Sequence, residues 1–143
     1  MVQEKVLLVD DEKDFVDVLT QRMKGKGLEV KSAYSGQEAL KAVDSESFDA
    51  IILDMKMPDM DGIETLKKMK QINPDLQVIL LTGHATVDKG VEAMKLGAMD
   101  FLEKPAEINA LLEKIHKANV NTMLIHEKKT QDKIHDIIVE KAW

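Results

Sequence analysis

The sequence predicts an α/β fold in which a parallel sheet is covered by helices on both faces. Short runs of consecutive apolar residues recur along the chain, each bounded by turn residues. Such runs are typical of strands that are buried on both faces. Segments with apolar residues at helical spacing lie between them. Because the two kinds of segment alternate strictly and the loops are short, a parallel sheet with right-handed crossovers is expected.

Five segments are predicted as strands, and most of them run directly into polar residues. Residues 50–53 are the most apolar run, and Asp54 follows them at once. The segment 28–33 alternates apolar and polar residues, which is typical of an edge strand. The remaining three strands are predicted over residues 6–9, 78–81 and 101–102.

Five helices are predicted between and after these strands. Ser35 with Glu38 forms a capping-box pattern at the start of the second helix, and Asn73-Pro74 ends the third. In the first helix, Phe15 and Val18 are among the apolar residues at helical spacing. The predicted helices cover residues 12–24, 36–45, 62–72, 85–96 and a fifth segment after Pro105 that carries Ile108, Leu111, Leu112 and Ile115.

Composition excludes several classes of protein. The 143 residues suit one domain, and the absence of Cys excludes disulfide frameworks and thiolate metal sites. The net charge is −6, and residues 107–143 contain six Lys and six Asp or Glu, so the deficit lies in residues 1–106. We expect no direct nucleic-acid binding, since no basic stripe is present. No apolar run approaches transmembrane length, so a soluble, cytoplasmic protein without membrane contact is expected.

The C-terminal segment is the least regular part of the sequence. We expect residues 1–117 to form the domain and residues 118–143 a helical extension with no separate effector domain. Apolar spacing lapses over residues 127–133 and then resumes. The resumed stripe must fold back on the domain or pair with another chain, unless the extension is a frayed helix. The stripe consists of Ile134, Ile137 and Ile138.

Polar side chains at the strand ends predict phosphoryl chemistry. The carboxyl ends of parallel strands meet at one edge, which here carries Asp10, Asp11, Asp54, Thr82 and Lys104. Clustered carboxylates repel one another, and Mg²⁺ relieves that repulsion with oxygen ligands. An ammonium and a hydroxyl beside such a site suit phosphoryl oxygens. A central carboxylate can then attack a phosphoryl group and form an acyl phosphate.

These motifs together resemble the receiver domain of bacterial two-component response regulators. The resemblance covers residues 4 to about 117 and rests on Asp10-Asp11, on Asp54 with the segment 57–62 behind it, on Thr82-Gly83, and on Phe101 with Lys104-Pro105. It implies a flavodoxin-like, doubly wound sheet of five parallel strands in the order 2-1-3-4-5 with five helices. The segment 81–105 looks most like receivers of nitrogen-regulation-type activators.

The resemblance implies a role for each position of the site. Asp54 would be the phosphoacceptor, and Mg²⁺ would be bound by Asp10, Asp11, Asp54 and the main-chain carbonyl of Met55. Lys104, preceding a cis proline peptide, would hold a phosphoryl oxygen. Residues with a switching or tuning role would be Thr82 and Phe101 for the switch, and Lys56 and His84 for the lifetime of the phosphate.

The resemblance also implies partners. A histidine kinase or phosphotransfer protein would supply the phosphoryl group, and an unknown downstream protein would bind the face formed by the fourth helix, fifth strand and fifth helix. That face or the C-terminal extension could form a homodimer. The protein would catalyse its own phosphorylation and dephosphorylation rather than turn over a separate substrate.

Other interpretations remain open at this stage. Asp10 or Asp11 alone is compatible with capping the first helix, and Thr82 with a satisfied strand-end hydroxyl. A binding module with this fold could signal without phosphate. A Mg²⁺-dependent phosphohydrolase also uses an Asp nucleophile on an α/β sheet, but the position two residues beyond Asp54 carries Lys56 rather than a second acid.

Overall fold

The structure is a computed structural model that describes residues 3–57, 60–83 and 87–141, with side chains undescribed at residues 87–89 and 140–141. Strands and helices alternate along the chain, as the apolar pattern predicts. The elements are β1 (Lys5–Val9), α1 (Lys13–Gly25), β2 (Glu29–Ala33), α2 (Gly36–Ser45), β3 (Ala50–Asp54), α3 (Gly62–Ile72), β4 (Val78–Thr82), α4 (Val87–Lys95), β5 (Asp100–Glu103) and α5 (Ile108–Lys141).

The five strands form one parallel sheet in the order β2-β1-β3-β4-β5, which confirms the predicted fold. In the register of the sheet, Val9 of β1 lies opposite Leu53 of β3. Consequently the residues that follow these two strands, Asp10 and Asp54, emerge side by side. The chain leaves β1 in one direction and β3 in the other at this point, which is where open α/β sheets form their crevice.

Helices cover both faces of the sheet and bury two apolar clusters. Side chains of α2, α3 and α4 pack on one face, and those of α1 and α5 pack on the other. Every residue of β3 and of β4 is buried, as continuous apolar strands require. Among the described residues, no helix combines the length and apolar character needed to cross a membrane.

The rotation of α1 differs from the one expected from apolar spacing. Val16, Leu19 and Met23 are its buried residues, whereas Val18 is 56% exposed. The sequence offered two overlapping stripes, and the packing uses the stripe that contains Val16. Val18 is thereby left on the surface.

The predicted starts of α2 and α3 agree with the structure, whereas the start predicted for the fourth helix at residue 85 lies outside the described residues. Ser35 Oγ accepts from the Glu38 N–H at 3.1 Å, while Glu38 Oε2 accepts from the Tyr34 N–H at 2.8 Å. Asp61 caps α3 by accepting from the Glu64 N–H at 2.8 Å. These bonds satisfy N–H groups that the first helical turn leaves without partners.

The helix α5 is continuous for 34 residues and crosses the expected boundary at residue 117 without a break. Beyond that point it still contacts the amino end of the sheet, which we define as the chain around Asp49, Asp75 and Gln77. The contacts are Asn119 Nδ2 to Asp49 Oδ1 at 3.0 Å, Asn121 Nδ2 to Gln77 Oε1 at 3.1 Å, Thr122 Oγ1 to Asp49 O at 3.4 Å, and an ion pair between Lys129 and Asp75.

The apolar stripe after Lys129 does not fold back on the domain, so that alternative from the sequence is wrong. Ile134, Ile137 and Ile138 are 52%, 51% and 61% exposed. The polar segment 127–133 is not an interruption of the helix, because its side chains face solvent while the backbone stays helical. Helical structure here follows from the anchored turns that precede it.

Candidate functional site

Three carboxylates converge at the carboxyl end of the sheet. Asp10, Asp11 and Asp54 each place one oxygen so that all three oxygens lie within 4.8 Å of one another. Asp10 and Asp54 are 1% and 5% exposed, whereas Asp11 is exposed to solvent. Asp10 also accepts from the Glu12 N–H at 3.0 Å, just before α1 begins. The N-cap residue of α1 is Glu12, and its side chain makes no capping hydrogen bond, so the interpretation of Asp10 or Asp11 as the cap of this helix is wrong.

Lys104 reaches this cluster from the loop after β5. Its Nζ lies 2.8 Å from Asp10 Oδ2 and 3.2 Å from Asp54 Oδ1. Burial lowers the pKa of the ammonium, but the hydrogen bond to Asp10 and the charges of Asp54 and Asp10 outweigh it, so the pKa is raised overall. Lys104 is anchored by its N–H, which donates to Thr82 O at 2.7 Å. The expected cis peptide between Lys104 and Pro105 is confirmed.

Asp54 is held in an environment that disfavours its charge. Burial and the neighbouring charge of Asp10 raise its pKa to about 6, although Lys104 and the Lys56 N–H act in the opposite direction. One ammonium thus compensates the carboxylates incompletely. An all-oxygen cluster with residual negative charge and one ligand open to solvent fits a small divalent cation such as Mg²⁺.

Gly62, the first residue of α3, lies close against the end of β3. The Gly62 N–H donates to Met55 O at 3.0 Å, which fixes the direction of that carbonyl while leaving its second lone pair available. A Cβ at Gly62 would lie 2.5 Å from Asp54 O and 2.6 Å from Met55 Cα. A side chain is excluded there by backbone on both sides. Gly62 is the last residue of the segment 57–62 behind Asp54, and the sequence pattern predicted no separate role for it.

Thr82 and Phe101 occupy the two strands beyond β3. Thr82 is buried one residue past Leu81, the partner of Asp54 in the sheet, so it belongs to the same edge. Phe101 is half-buried, and its ring packs against Gly90 of α4. A Cβ at Gly90 would lie 2.9 Å from Phe101 Cζ. A glycine inside a helix lowers the stability of that helix by about 1 kcal/mol relative to alanine. A glycine within a predicted helix was therefore the feature of the sequence that could have indicated a close contact at this position.

The two residues expected to tune the phosphate differ in what the structure shows. Lys56 is exposed beyond β3, and its N–H bonds the Asp54 carboxylate. His84 lies outside the described residues, as do Pro58 and Asp59 of the motif behind Asp54.

An apolar groove that the sequence did not reveal lies beside the site. It encloses about 120 Å³ between α1 and the start of the β5–α5 loop. The Phe15 ring forms part of it and also lies under Lys104, with Nζ 4.5 Å from the ring centroid. The pattern of α1 had suggested only a core role for Phe15. The groove is lined by Phe15, Val18, Leu19, Arg22, Leu81, Pro105 and Ala106.

Sequence comparisons agree with this architecture. Residues 6–116 match the family model of the response regulator receiver domain. The transcriptional regulatory protein ZraR of Salmonella typhimurium is 39% identical over 117 residues, which are 82% of this chain and 26% of ZraR. The chain therefore spans about a quarter of that relative. Sporulation initiation phosphotransferase F of Bacillus subtilis is 37% identical over 82% of this chain and 94% of its own length.

Solved structures show the same fold. A CheY-like receiver domain protein from Methanospirillum hungatei superposes with a TM-score of 0.80 and 31% identity, covering 85% of this chain and 98% of that one. NtrX from Brucella abortus superposes with a TM-score of 0.82 and 28% identity, over 90% of this chain and 30% of NtrX.

Proposed function

The chain belongs to the family of response regulator receiver domains, which act in two-component signalling, and we propose that it accepts a phosphoryl group on Asp54. The observation that carries the proposal is the setting of this carboxylate. It ends a fully buried central strand, has a raised pKa, and faces two further carboxylates and the ammonium of Lys104. Burying a charge costs free energy, so its presence at this position supports a functional role.

The proposed reaction is a displacement at phosphorus. An Asp54 oxygen forms the new O–P bond while the bond from phosphorus to the donor nitrogen breaks, and the donor imidazole keeps the electron pair. Lys104 transfers one of its contacts from a carboxylate to a phosphoryl oxygen, and Thr82 donates to another. Mg²⁺, when held by Asp10, Asp11, Asp54 and the Met55 carbonyl, supplies positive charge that stabilises the transferring group.

The protein is its own substrate in this scheme. It catalyses its phosphorylation, and it loses the phosphoryl group when water attacks the acyl phosphate. Lys56, exposed next to the Asp54 carboxylate, is placed to affect that attack. His84, two residues after Thr82 in the sequence, is proposed to do the same on the resemblance alone.

We propose that the phosphoryl donor is a histidine kinase or phosphotransfer protein that docks on the groove beside α1. The groove adjoins Lys104 through Phe15, and its rim includes the exposed Val18. Burial of such side chains against an apolar helix face is favourable, by about 25 cal/mol for each Å² removed from water. Such docking would bring a donor imidazole to the carboxyl end of the sheet. We propose that the reaction takes place in the cytoplasm, where ATP-dependent kinases act.

Two surfaces are proposed for the output. The face formed by α4, β5 and α5 contains Phe101, whose packing against Gly90 joins β5 to α4. Thr82 and Phe101 would move together on phosphorylation and alter this face for a downstream protein. The exposed stripe at Ile134, Ile137 and Ile138 is the second surface, and we propose that it pairs two copies of the chain rather than binding nucleic acid.

Intact mass after incubation with a small acyl-phosphate donor and Mg²⁺ tests the proposed phosphorylation. Wild type should gain one phosphoryl group, and Asp54→Asn or removal of Mg²⁺ should abolish the gain. Asp61→Asn is the matched control, since it changes a nearby loop carboxylate while keeping a side-chain acceptor for the α3 cap. No adduct on folded wild type would favour a module that signals without phosphate.

A further inference from the structure

The Lys104 ammonium has three close neighbours, and one of them is uncharged. Its Nζ lies 2.8 Å from Asp10 Oδ2, 3.2 Å from Asp54 Oδ1 and 4.5 Å from the centroid of the Phe15 ring. The ring is within the 6 Å that a cation–π interaction requires. Asp10 and Asp54 come from β1 and β3, whereas Phe15 comes from α1.

The three neighbours of the ammonium differ in what happens to them during phosphorylation. Asp54 becomes an acyl phosphate in the proposed reaction, and Asp10 faces the position that the divalent cation would share. Both carboxylates thus change their charge or their partners. The Phe15 ring attracts the ammonium through its quadrupole and neither titrates nor exchanges partners. Of the three neighbours, the Phe15 ring is therefore the one whose interaction with the ammonium need not change during the reaction.

A constant element is useful because a lysine side chain is flexible. Lys has four methylene groups, and fixing them costs conformational entropy. A ring under the ammonium reduces the number of positions that Lys104 samples. It also keeps the charge available, because an aromatic face does not neutralise a cation as a carboxylate does.

We propose that Phe15 is a positioning residue that holds the Lys104 ammonium in place for the incoming phosphoryl oxygen. This inference rests on the proposed function of Asp54. Phe15 also lines the apolar groove beside α1, so a donor that fills the groove contacts the ring that supports the lysine. Docking of the donor and placement of Lys104 are then linked through one side chain.

A purely structural role for Phe15 makes a different prediction. The ring is half-buried and packs against the apolar cluster of α1 and α5, which a leucine side chain could also do. Phe15→Leu removes the aromatic face and keeps most of the apolar contact. Phe15→Tyr keeps the aromatic face. The pair therefore separates packing from attraction of the ammonium.

The experiment measures the rate of adduct formation with a small acyl-phosphate donor, which needs no docking groove. We expect Phe15→Leu to be about 2- to 5-fold slower than wild type and Phe15→Tyr to be nearly unchanged. In a Lys104→Met background Phe15→Leu should have no further effect, because Phe15 acts through Lys104. Equal rates for wild type and Phe15→Leu, or an equal loss in both backgrounds, would overturn the proposal.

Proton NMR of the Lys104 side chain gives a second readout that does not depend on turnover. The ε-methylene protons should be shifted upfield by the ring in wild type and in Phe15→Tyr, and should lose that shift in Phe15→Leu. The matched control is Phe48→Leu, since Phe48 lies 5.2 Å from Lys5 Nζ at the other end of the sheet. That change should leave the signals of Lys104 and the rate unaltered.

The outcomes separate this inference from the proposed function. A wild type that gains no phosphoryl group removes the proposed function and this inference with it. A wild type that gains the group, with unshifted Lys104 protons or an unaffected Phe15→Leu variant, removes the inference and leaves Asp54 as the phosphoacceptor.

Discussion

The carboxyl end and the amino end of the sheet differ in how far their charged side chains are balanced by opposite charges. At the carboxyl end, three carboxylates share the ammonium of Lys104, and the pKa of Asp54 rises to about 6. At the amino end, Glu46 accepts from both Lys5 and Lys31, and Lys129 pairs with Asp75. The carboxyl end carries unbalanced negative charge, whereas at the amino end Glu46 and Asp75 each have at least one lysine partner.

The difference shows in which part of the molecule charged side chains lower the free energy of unfolding. Exposed ion pairs such as those at the amino end contribute little individually and cost little. Like charges in a buried place destabilise the fold, and they persist where chemistry requires them. Because the same strands supply both ends, the cost is local to the loops at the strand ends.

The largest effect is expected for Gly62→Ala, which tests how closely the carboxyl end is packed. The new Cβ would meet the backbone of Asp54 and Met55, so the loop must move. We expect a loss of about 3 kcal/mol in the free energy of unfolding by urea. Gly83→Ala, at the same end but with no atom within 4 Å of the new Cβ, should change it by less than about 0.5 kcal/mol. Equal losses would show that packing of the β3–α3 loop is not the cause.

Asp54→Asn tests the unbalanced charge directly in metal-free protein. The folded pKa of about 6 exceeds the ordinary 3.8, so the fold binds an extra proton between these values and loses stability as pH rises through 6. Asparagine removes that loss, and we expect a gain of about 2 kcal/mol at pH 8 that vanishes near pH 4.

The matched control for this prediction is Asp100→Asn, for which the sign reverses. Burial raises the pKa of Asp100, but its bonds to Lys114 and to the Phe101 N–H outweigh burial and lower it. Its contribution is therefore present above the unfolded pKa and is lost as the pH falls through the lower folded pKa. Unfolding measured from pH 4 to pH 8 should show Asp100→Asn destabilised over the whole range, since its contribution is lost only below the unfolded pKa of 3.8. A common sign for both variants would contradict the comparison of charge environments.

A smaller effect is expected from shortening α5 at the amino end. A chain ending at residue 118 loses the bonds from Asn119, Asn121 and Thr122, and we expect a loss of about 1.5 kcal/mol. A chain ending at residue 130 keeps them and should retain its stability per chain.

Light scattering of the same proteins tests the stripe, since the full chain should form two-chain particles and the chain ending at 130 should not.

Much of the fold and the site could be predicted because both depend on strand ends. Buried apolar runs set the strands, and the residues that follow them must meet at one edge. Phe15 over Lys104 could not be predicted, because it depends on the rotation of α1, and two overlapping stripes allowed either Val16 or Val18 to face inward. The course of α5 along the amino end of the sheet could not be predicted either. It depends on polar contacts such as that of Asn119 with Asp49, which leave no apolar periodicity in the sequence.

The unbroken course of α5 has a geometric consequence. Each residue of an α-helix turns the chain by about 100° and advances it by 1.5 Å. The contacts of Asn119 and Lys129 fix the helix to the body of the protein, so the azimuth of Ile134 and Ile138 around the helix axis is fixed as well. One residue inserted after Lys129 would turn that stripe by about 100°, whereas seven would return it to within about 20° of its original direction. Whatever meets the stripe therefore meets it at one angle relative to the sheet.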